Sequence, residues 1–409
     1  MKTTRFLLCL LLFQSCFLTA PAQNKAVFII LDGIPADVLE TVETPVIDEI
    51  ASKGGYTRAF IGGDKGIYSE SPTISAVGYN HLLTATWSNK HNVWGNEIKN
   101  PNYHYWNIFR IAESADPTLH TAIFSTWLDN RTKLVGEGLP EAGSIQLDYA
   151  FDGFEHDTIT FPHAPDRSFI FQIDEHVSKE AGRYMAAHGP DLSWVYLEFT
   201  DDMGHQYGDS PQLTDAVKKA DVQVGRIWHA IQERQKQYNE EWMIVITTDH
   251  GRDAATGKHH GGQSDRERTI WIATNHDALN KRFDGTPAMV DIMPSILRFM
   301  DIQIPESVKA EMDGIPFLGE ISISNLQAVR QGEEITLTWD VINPEGKLEM
   351  LLATTNHFKE GKDDTYYSMG MTDVTTGSYT LDISEHVSNF YKVLVKAPYN
   401  WTNRWVIIE

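Results

Sequence analysis

Four separated segments of this chain concentrate side chains that bind metal ions: Asp32-Gly33, Asp201-Asp202-Met203-Gly204-His205, Asp249-His250-Gly251 and His259-His260-Gly261-Gly262. Carboxylate oxygen and imidazole nitrogen suit zinc, and no soft sulfur ligand accompanies them. Each segment alone says little. Asp-Gly ends many strands as a turn, and a single histidine such as His205 is most often a surface or capping residue. All four fall at the end of a strand pattern or in the loop after one, and that recurrence argues for a dinuclear metal site.

The elements that must position them follow from the apolar runs. Ala26–Leu31 is a continuous apolar stretch ending in Asp32, which reads as a buried parallel strand with a polar residue at its carboxyl end. Trp194–Phe199 leads in the same way into Thr200-Asp201, and Trp242–Thr247 into Thr248-Asp249-His250. Between the last two, Val217, Val224, Ile227 and Ile231 recur at helical spacing. Strands alternating with helices predict an α/β fold, a mostly parallel sheet between helices, with ligands beyond the carboxyl ends of the strands. After residue 318 the pattern changes to short alternating runs: Ile335–Trp339, Tyr379–Ile383, Tyr391–Val395 and Trp405–Ile408. Turn signals at Asn343-Pro344-Glu345-Gly346 and Thr376-Gly377 separate them. We expect a catalytic domain over 23–318 and a C-terminal β-sandwich of fibronectin type III or immunoglobulin type over 319–409. The β unit carries no cluster of metal ligands and is expected to be dispensable for chemistry.

Composition narrows the partners. The formal charge of −22 argues against duplex nucleic-acid binding, which needs a basic face. It leaves phosphate substrates open, because bound cations invert the local field. Lys2 and Arg5, the apolar run Phe6–Leu12 and the small residues of Ala20-Pro21-Ala22 predict a signal peptide over 1–22, hence a secreted or periplasmic protein. Cys9 and Cys16 are the two cysteines, so the mature chain is expected to lack disulfides and thiol chemistry. Phe13-Gln14-Ser15 before Cys16 fits a lipid-attachment site poorly. No later stretch is long and apolar enough to span a membrane.

The ordered set Phe28-Ile-Ile-Leu-Asp-Gly33, Asp201-Asp-Met-Gly-His-Gln-Tyr-Gly208, Thr247-Thr-Asp-His-Gly251 and His260-Gly-Gly262 resembles the alkaline phosphatase superfamily, specifically its type I phosphodiesterase/nucleotide pyrophosphatase branch. Asp313-Gly-Ile-Pro-Phe317 resembles that core's closing motif. The resemblance covers roughly 26–318 and implies two zinc ions per chain. One would be held by Asp32, Ser75, Asp249 and His250, the other by Asp201, His205 and a distant histidine, His260 in preference to His259. It also implies a hydroxyl nucleophile shortly before a Leu-Thr-Gly-like stretch, here Leu83-Thr84-Ala85. Counting back by the family's spacing gives Ser75, with Thr73 as the competing hydroxyl and an N-cap as the plain structural role of Ser75. Asn96 stands where relatives place an Asn that donates to a phosphate oxygen. Ala76-Val77-Gly78-Tyr79 replaces the usual Phe-Pro-Asn-His, which affects substrate preference more than reaction class. Sulfatases match less well, since Val77 and Tyr79 occupy the places of their Pro and Arg.

The resemblance therefore implies a hydrolase of phosphate esters or nucleotides, and the signal-peptide pattern adds that it is secreted or periplasmic. A phosphomonoesterase on the same scaffold is the alternative. It would need extra cationic donors, for which Arg131 and Lys133 are the candidates. A catalytically inert binding protein is disfavoured by the full ligand set.

Overall fold

A computed structural model describes residues 22–408. The signal-peptide reading falls almost wholly outside the described residues. Among them, no helix is long and apolar enough to cross a membrane.

The core is a seven-stranded sheet: β1 (Gln23–Leu31), β2 (Gly55–Phe60), β3 (Thr121–Ser125), β4 (Tyr149–Phe151), β5 (Leu192–Leu197), β6 (Glu240–Thr247) and β7 (Thr269–Thr274), in the order β2-β7-β6-β1-β5-β3-β4. Only the pairings of β7 are antiparallel; the rest are parallel. The unbroken apolar run of β1 is explained by burial on both faces. Ala26, Phe28 and Ile30 enter one hydrophobic core, and Val27, Ile29 and Leu31 the other. The predicted helix spans Pro211–Gln237 and is capped by Ser210, whose side chain accepts from the Leu213 N–H. It buries Val217, Val224, Ile227 and Ile231 against the second core. The run predicted as a strand to Phe199 stops at Leu197, because a helix already begins at Phe199. The short strands β2, β3 and β4 lacked a run long enough to read.

The C-terminal region forms two antiparallel sheets. One contains β11 (Tyr367–Asp373), β10 (Lys347–Ala353), β13 (Phe390–Lys396) and β14 (Trp401–Ile407); the other contains β12 (Ser378–Asp382), β9 (Glu334–Val341) and β8 (Ile323–Gln331). Alternating residues such as Ile335, Leu337, Met350, Leu352, Val393 and Val395 fill the space between them.

Two fully buried lysines tie this region to the core. Lys90 of the core reaches Asp313 at 2.6 Å and Asn403 of β14 at 2.9 Å. Lys392 of β13 reaches Glu311 of the core at 2.5 Å and Asp364 at 2.7 Å. Tyr68 stacks on Trp405 at 5.4 Å. Each lysine depends on acceptors from the other side of the junction. Dispensability for chemistry is thus a separate matter from dispensability for folding.

Candidate metal centre and nucleophile

The three central strands end level with one another: Leu31 pairs with Leu197, and Ile30 with Thr247. Their carboxyl ends therefore deliver Asp32, Asp201 and Asp249 to one place. Gly33 turns the chain there at φ +65°, and a Cβ at this position would stand 2.5 Å from Asp201 Oδ1. Only glycine satisfies both conditions.

Two donor groups meet at this end of the sheet and share His250: Asp32, Asp249 and His250, and Asp201, His250 and His260. In the first, Asp32 Oδ2 accepts the hydroxyls of Tyr79 and Tyr196, the latter at 2.6 Å. Asp249 Oδ1 accepts the Gly33 N–H at 3.0 Å. The remaining oxygens, Asp32 Oδ1 and Asp249 Oδ2, are buried without a hydrogen-bond partner. They lie 3.5 and 3.2 Å from His250 Nε2. His250 Nδ1 lies 3.0 Å from the Gly251 carbonyl. A carbonyl can only accept, so Nδ1 carries the proton and the Nε2 lone pair faces the two carboxylates.

His205 stands beside the second group, one turn from Asp201 on the helix Phe199–Tyr207, with Asp201 Oδ2 and His205 Nε2 separated by 3.3 Å. His260 Nε2 lies 3.1 Å from His205 Nε2 and 4.0 Å from Asp201 Oδ1. Its Nδ1 is held at 2.9 Å by the Thr73 carbonyl. The His250 and His260 rings stack at 3.7 Å, so the two sets are contiguous. His259 is exposed, and its backbone N–H donates to Asp253. Of the two adjacent histidines, the fold brings His260 to the cluster.

Ser75 is the first residue of the helix Ser75–Thr84, whose N-cap is Ile74, and it makes no capping hydrogen bond. The N-cap role considered from sequence is therefore not its position. Its Oγ instead lies 3.3 Å from His250 Nε2. Thr73 is committed elsewhere: its hydroxyl donates to the Gly262 carbonyl and accepts the Gly261 N–H, both at 2.9 Å. It ties the serine loop to the His260 loop. Asn96 Oδ1 accepts the Ala76 N–H at 2.9 Å, which leaves its NH2 group free to donate. Asp32, Ser75, Asn96 and Asp201 line one cavity of about 260 Å³ together with Tyr79, Trp127, Tyr196 and Glu198. Arg131 and Lys133 do not line it. Arg131 pairs with Asp152 and Glu137, and Lys133 with Asp129.

The electrostatics fit a divalent cation. Burial, with Asp249 and Asp201 close by, pushes the Asp32 carboxyl well above the ordinary range, and burial pushes Asp249 up to about 7. Burial also holds the His250 and His260 imidazoles neutral, below their usual value. Burial would raise Asp201 too, but the Arg252 guanidinium, with His205 and His250, holds it far below the usual value. Two carboxylates with unsatisfied oxygens beside a neutral imidazole are costly as they stand, and a cation between them removes that cost. Asp, Asp and His are also a zinc donor set.

Residues 26–266 match the type I phosphodiesterase / nucleotide pyrophosphatase family. The chain belongs to this family. The family is one of phosphoric ester hydrolases within the alkaline phosphatase superfamily, and the core fold agrees with it. The human ectonucleotide pyrophosphatase/phosphodiesterase family member 5 is 23% identical over 259 residues, 60% of this chain and 48% of the relative. The chain thus spans about half the length of the curated relative it matches. Two solved structures share the fold. Ps i-CgsB in complex with k-i-k-neocarrahexaose has TM-score 0.51 and 13% identity, covering 79% of this chain and 85% of that one. BT33336S-sulf of Bacteroides thetaiotaomicron has TM-score 0.51 and 14% identity, covering 78% and 88%.

Sequence reasoning missed the residues that hold the acidic cluster in place. Tyr79 and Tyr196 were read only as a loop substitution and a strand residue, although a tyrosine in an apolar strand signals a hydroxyl in need of a partner. Arg252, directly after Asp249-His250-Gly251, is fully buried and binds Asp201. A charge flanked by a ligand motif was the available signal.

Proposed function

We propose that this protein is a secreted phosphodiesterase or nucleotide pyrophosphatase that uses two zinc ions and Ser75 as nucleophile. The observation that carries the reading is the Ser75 hydroxyl 3.3 Å from His250 Nε2, at the meeting of the two donor sets. Asp32, Asp249 and His250 would hold one cation with the Ser75 oxygen; Asp201, His205 and His260 would hold the other. When bound, the pair would supply Lewis acidity that lowers the serine pKa and offsets charge on the leaving oxygen.

The chain's own residues account for the remaining steps. Ser75 Oγ attacks phosphorus, its proton passes to solvent, and the bond to the leaving alcohol breaks opposite it. Water then attacks the seryl phosphoester, releasing the phosphomonoester and restoring Ser75. The Asn96 NH2 donates to a non-bridging oxygen as charge develops there. The N-terminus of the helix Ser75–Thr84 favours the same anion.

A diester is favoured over a monoester by the cavity itself. Its lining includes Asp32, Glu198 and Asp201 but no lysine or arginine. With Asp32 and Asp201 engaged by the cations, the second negative charge of a monoester would find no lysine or arginine in this lining to receive it. The relative's name supports a nucleotide-type substrate. The division near residue 318 and the export of the mature chain belong to the same proposal. Hydrolysis of a chromogenic phosphodiester and the matching monoester by purified protein tests it. Faster diester turnover that is lost on chelation supports the reading, and a preference for the monoester would replace it with the phosphomonoesterase.

A further inference from the structure

The two cation sites differ in one respect that the ligand types do not reveal. Arg252 is buried directly behind Asp201. Its Nε donates to the Gly33 carbonyl at 2.9 Å, its Nη1 to the Lys258 carbonyl at 3.2 Å and its Nη2 to the Asp201 carbonyl at 2.8 Å. The same Nη2 also donates to Asp201 Oδ1. The guanidinium lies against two residues without side chains. A Cβ on Gly204 would stand 2.1 Å from its Cζ, and one on Gly33 2.6 Å from its Nη2. Two glycines and three carbonyls make this a built seat for a permanent positive charge.

The oxygen that Arg252 engages is the one nearest the shared centre. Asp201 Oδ1 lies 4.0 Å from both His250 Nε2 and His260 Nε2, whereas Oδ2 faces His205. A cation here meets a carboxylate whose charge is already compensated, beside a fixed guanidinium that repels it. His205, the third member, is 44% exposed at its side chain. Among the described residues, no arginine or lysine binds Asp32 or Asp249. Asp32 and Asp249 receive only neutral donors there, and each keeps one free oxygen in a dry environment. A cation in that set gains two uncompensated negative charges where they act most strongly.

We infer that the two sites are unequal by construction: the Asp32–Asp249–His250 site retains its cation, and the Asp201–His205–His260 site, weakened by Arg252, exchanges it. This rests on the two-cation reading above. Arg252 acts through Asp201 and is a positioning residue: it fixes the rotamer of one ligand while lowering that site's affinity.

The test is zinc binding to the full chain, measured by competition with a fluorescent chelator and by elemental analysis after dialysis, without reference to activity. The wild type should pass through a plateau of one zinc per chain as chelator strength rises. His205→Ala should keep that plateau and lose only the weaker ion, while Asp249→Ala should lose the tight one. Arg252→Gln keeps a donor to Asp201 but removes the charge, and should narrow the gap between the two constants by about tenfold, the size typical of outer-shell changes. Loss of both ions together, or loss of the tight ion in His205→Ala, overturns the inference even if Arg252→Gln fails to fold. A folded Arg252→Gln with an unchanged gap removes Arg252 as the cause. A wild type that binds no zinc at all refutes the two-cation reading itself.

Discussion

Zinc affinity should fall steeply as the solution is acidified below about pH 7, through the carboxyls of the Asp32–Asp249–His250 site and through His205, which its hydrogen bond to Asp201 holds above the usual value, at the other. Burial pushes Asp249 up to about 7 in the cation-free protein, so below that pH a cation must displace a proton from it. One displaced proton costs a factor of ten in apparent affinity per pH unit, about 100-fold between pH 7 and pH 5, or roughly 2.7 kcal/mol. Asp32, raised by burial and by its carboxylate neighbours, steepens the dependence further. Burial pushes His250 and His260 below their usual value, so they bind protons less readily than a free imidazole. The linkage to stability has the same sign. A carboxyl raised in the folded state stabilises the cation-free fold below its ordinary value and loses that contribution as pH rises through about 7. The melting temperatures of zinc-loaded and chelated protein should therefore diverge as pH rises from about 5 to 8. Chelator competition over this range gives the affinity slope, and scanning fluorimetry of the two forms gives the divergence. An affinity independent of pH between about 5 and 7, with parallel melting curves, would refute the assignment of the orphaned Asp32 and Asp249 oxygens as cation ligands.

Three substitutions probe the remaining parts. Ser75→Ala should lower diester turnover by several orders of magnitude while shifting the melting temperature little, since the Ser75 side chain makes no capping bond; steady-state kinetics beside thermal melts check both. Asn96→Ala should cost on the order of a hundredfold in kcat, as for loss of one transition-state donor. Lys392→Met leaves Glu311 and Asp364 buried opposite a neutral side chain and should destabilise the protein by about 3–5 kcal/mol in urea unfolding. A chain ending near Gly319 loses both Lys392 and the Asn403 acceptor of Lys90, so it should melt well below the full protein, and any folded fraction should still bind zinc.

Much of this architecture was legible because burial imposes a simple code. A strand buried on both faces, such as β1, must be apolar throughout, so the first polar residue after it stands out. Asp32 is found that way, and Asp201 and Asp249-His250 follow within a few residues of the other two apolar runs. His260 over His259 could not be read from periodicity, because both sit in a loop; the Thr73 carbonyl that orients His260 comes from a segment 187 residues away. The same holds for Arg252, whose seat is made by Gly33, Lys258 and Asp201, and for Tyr79 and Tyr196, which converge on Asp32 from a helix and a strand. Partners chosen across the sheet leave no local spacing to detect. The reciprocal lysines at the β-sandwich junction were invisible for the same reason.

The central claim is that phosphorus is transferred to Ser75. Acid quenching of the zinc-loaded protein during diester turnover, followed by mass spectrometry of the peptide spanning Ser71–Thr84, tests it most directly. A phosphoester on Ser75 that retains one of the two substrate alcohols, and that is absent from Ser75→Ala, is the predicted result. Rapid turnover with that peptide unmodified at every time point, or modification at Thr73 instead, would contradict it.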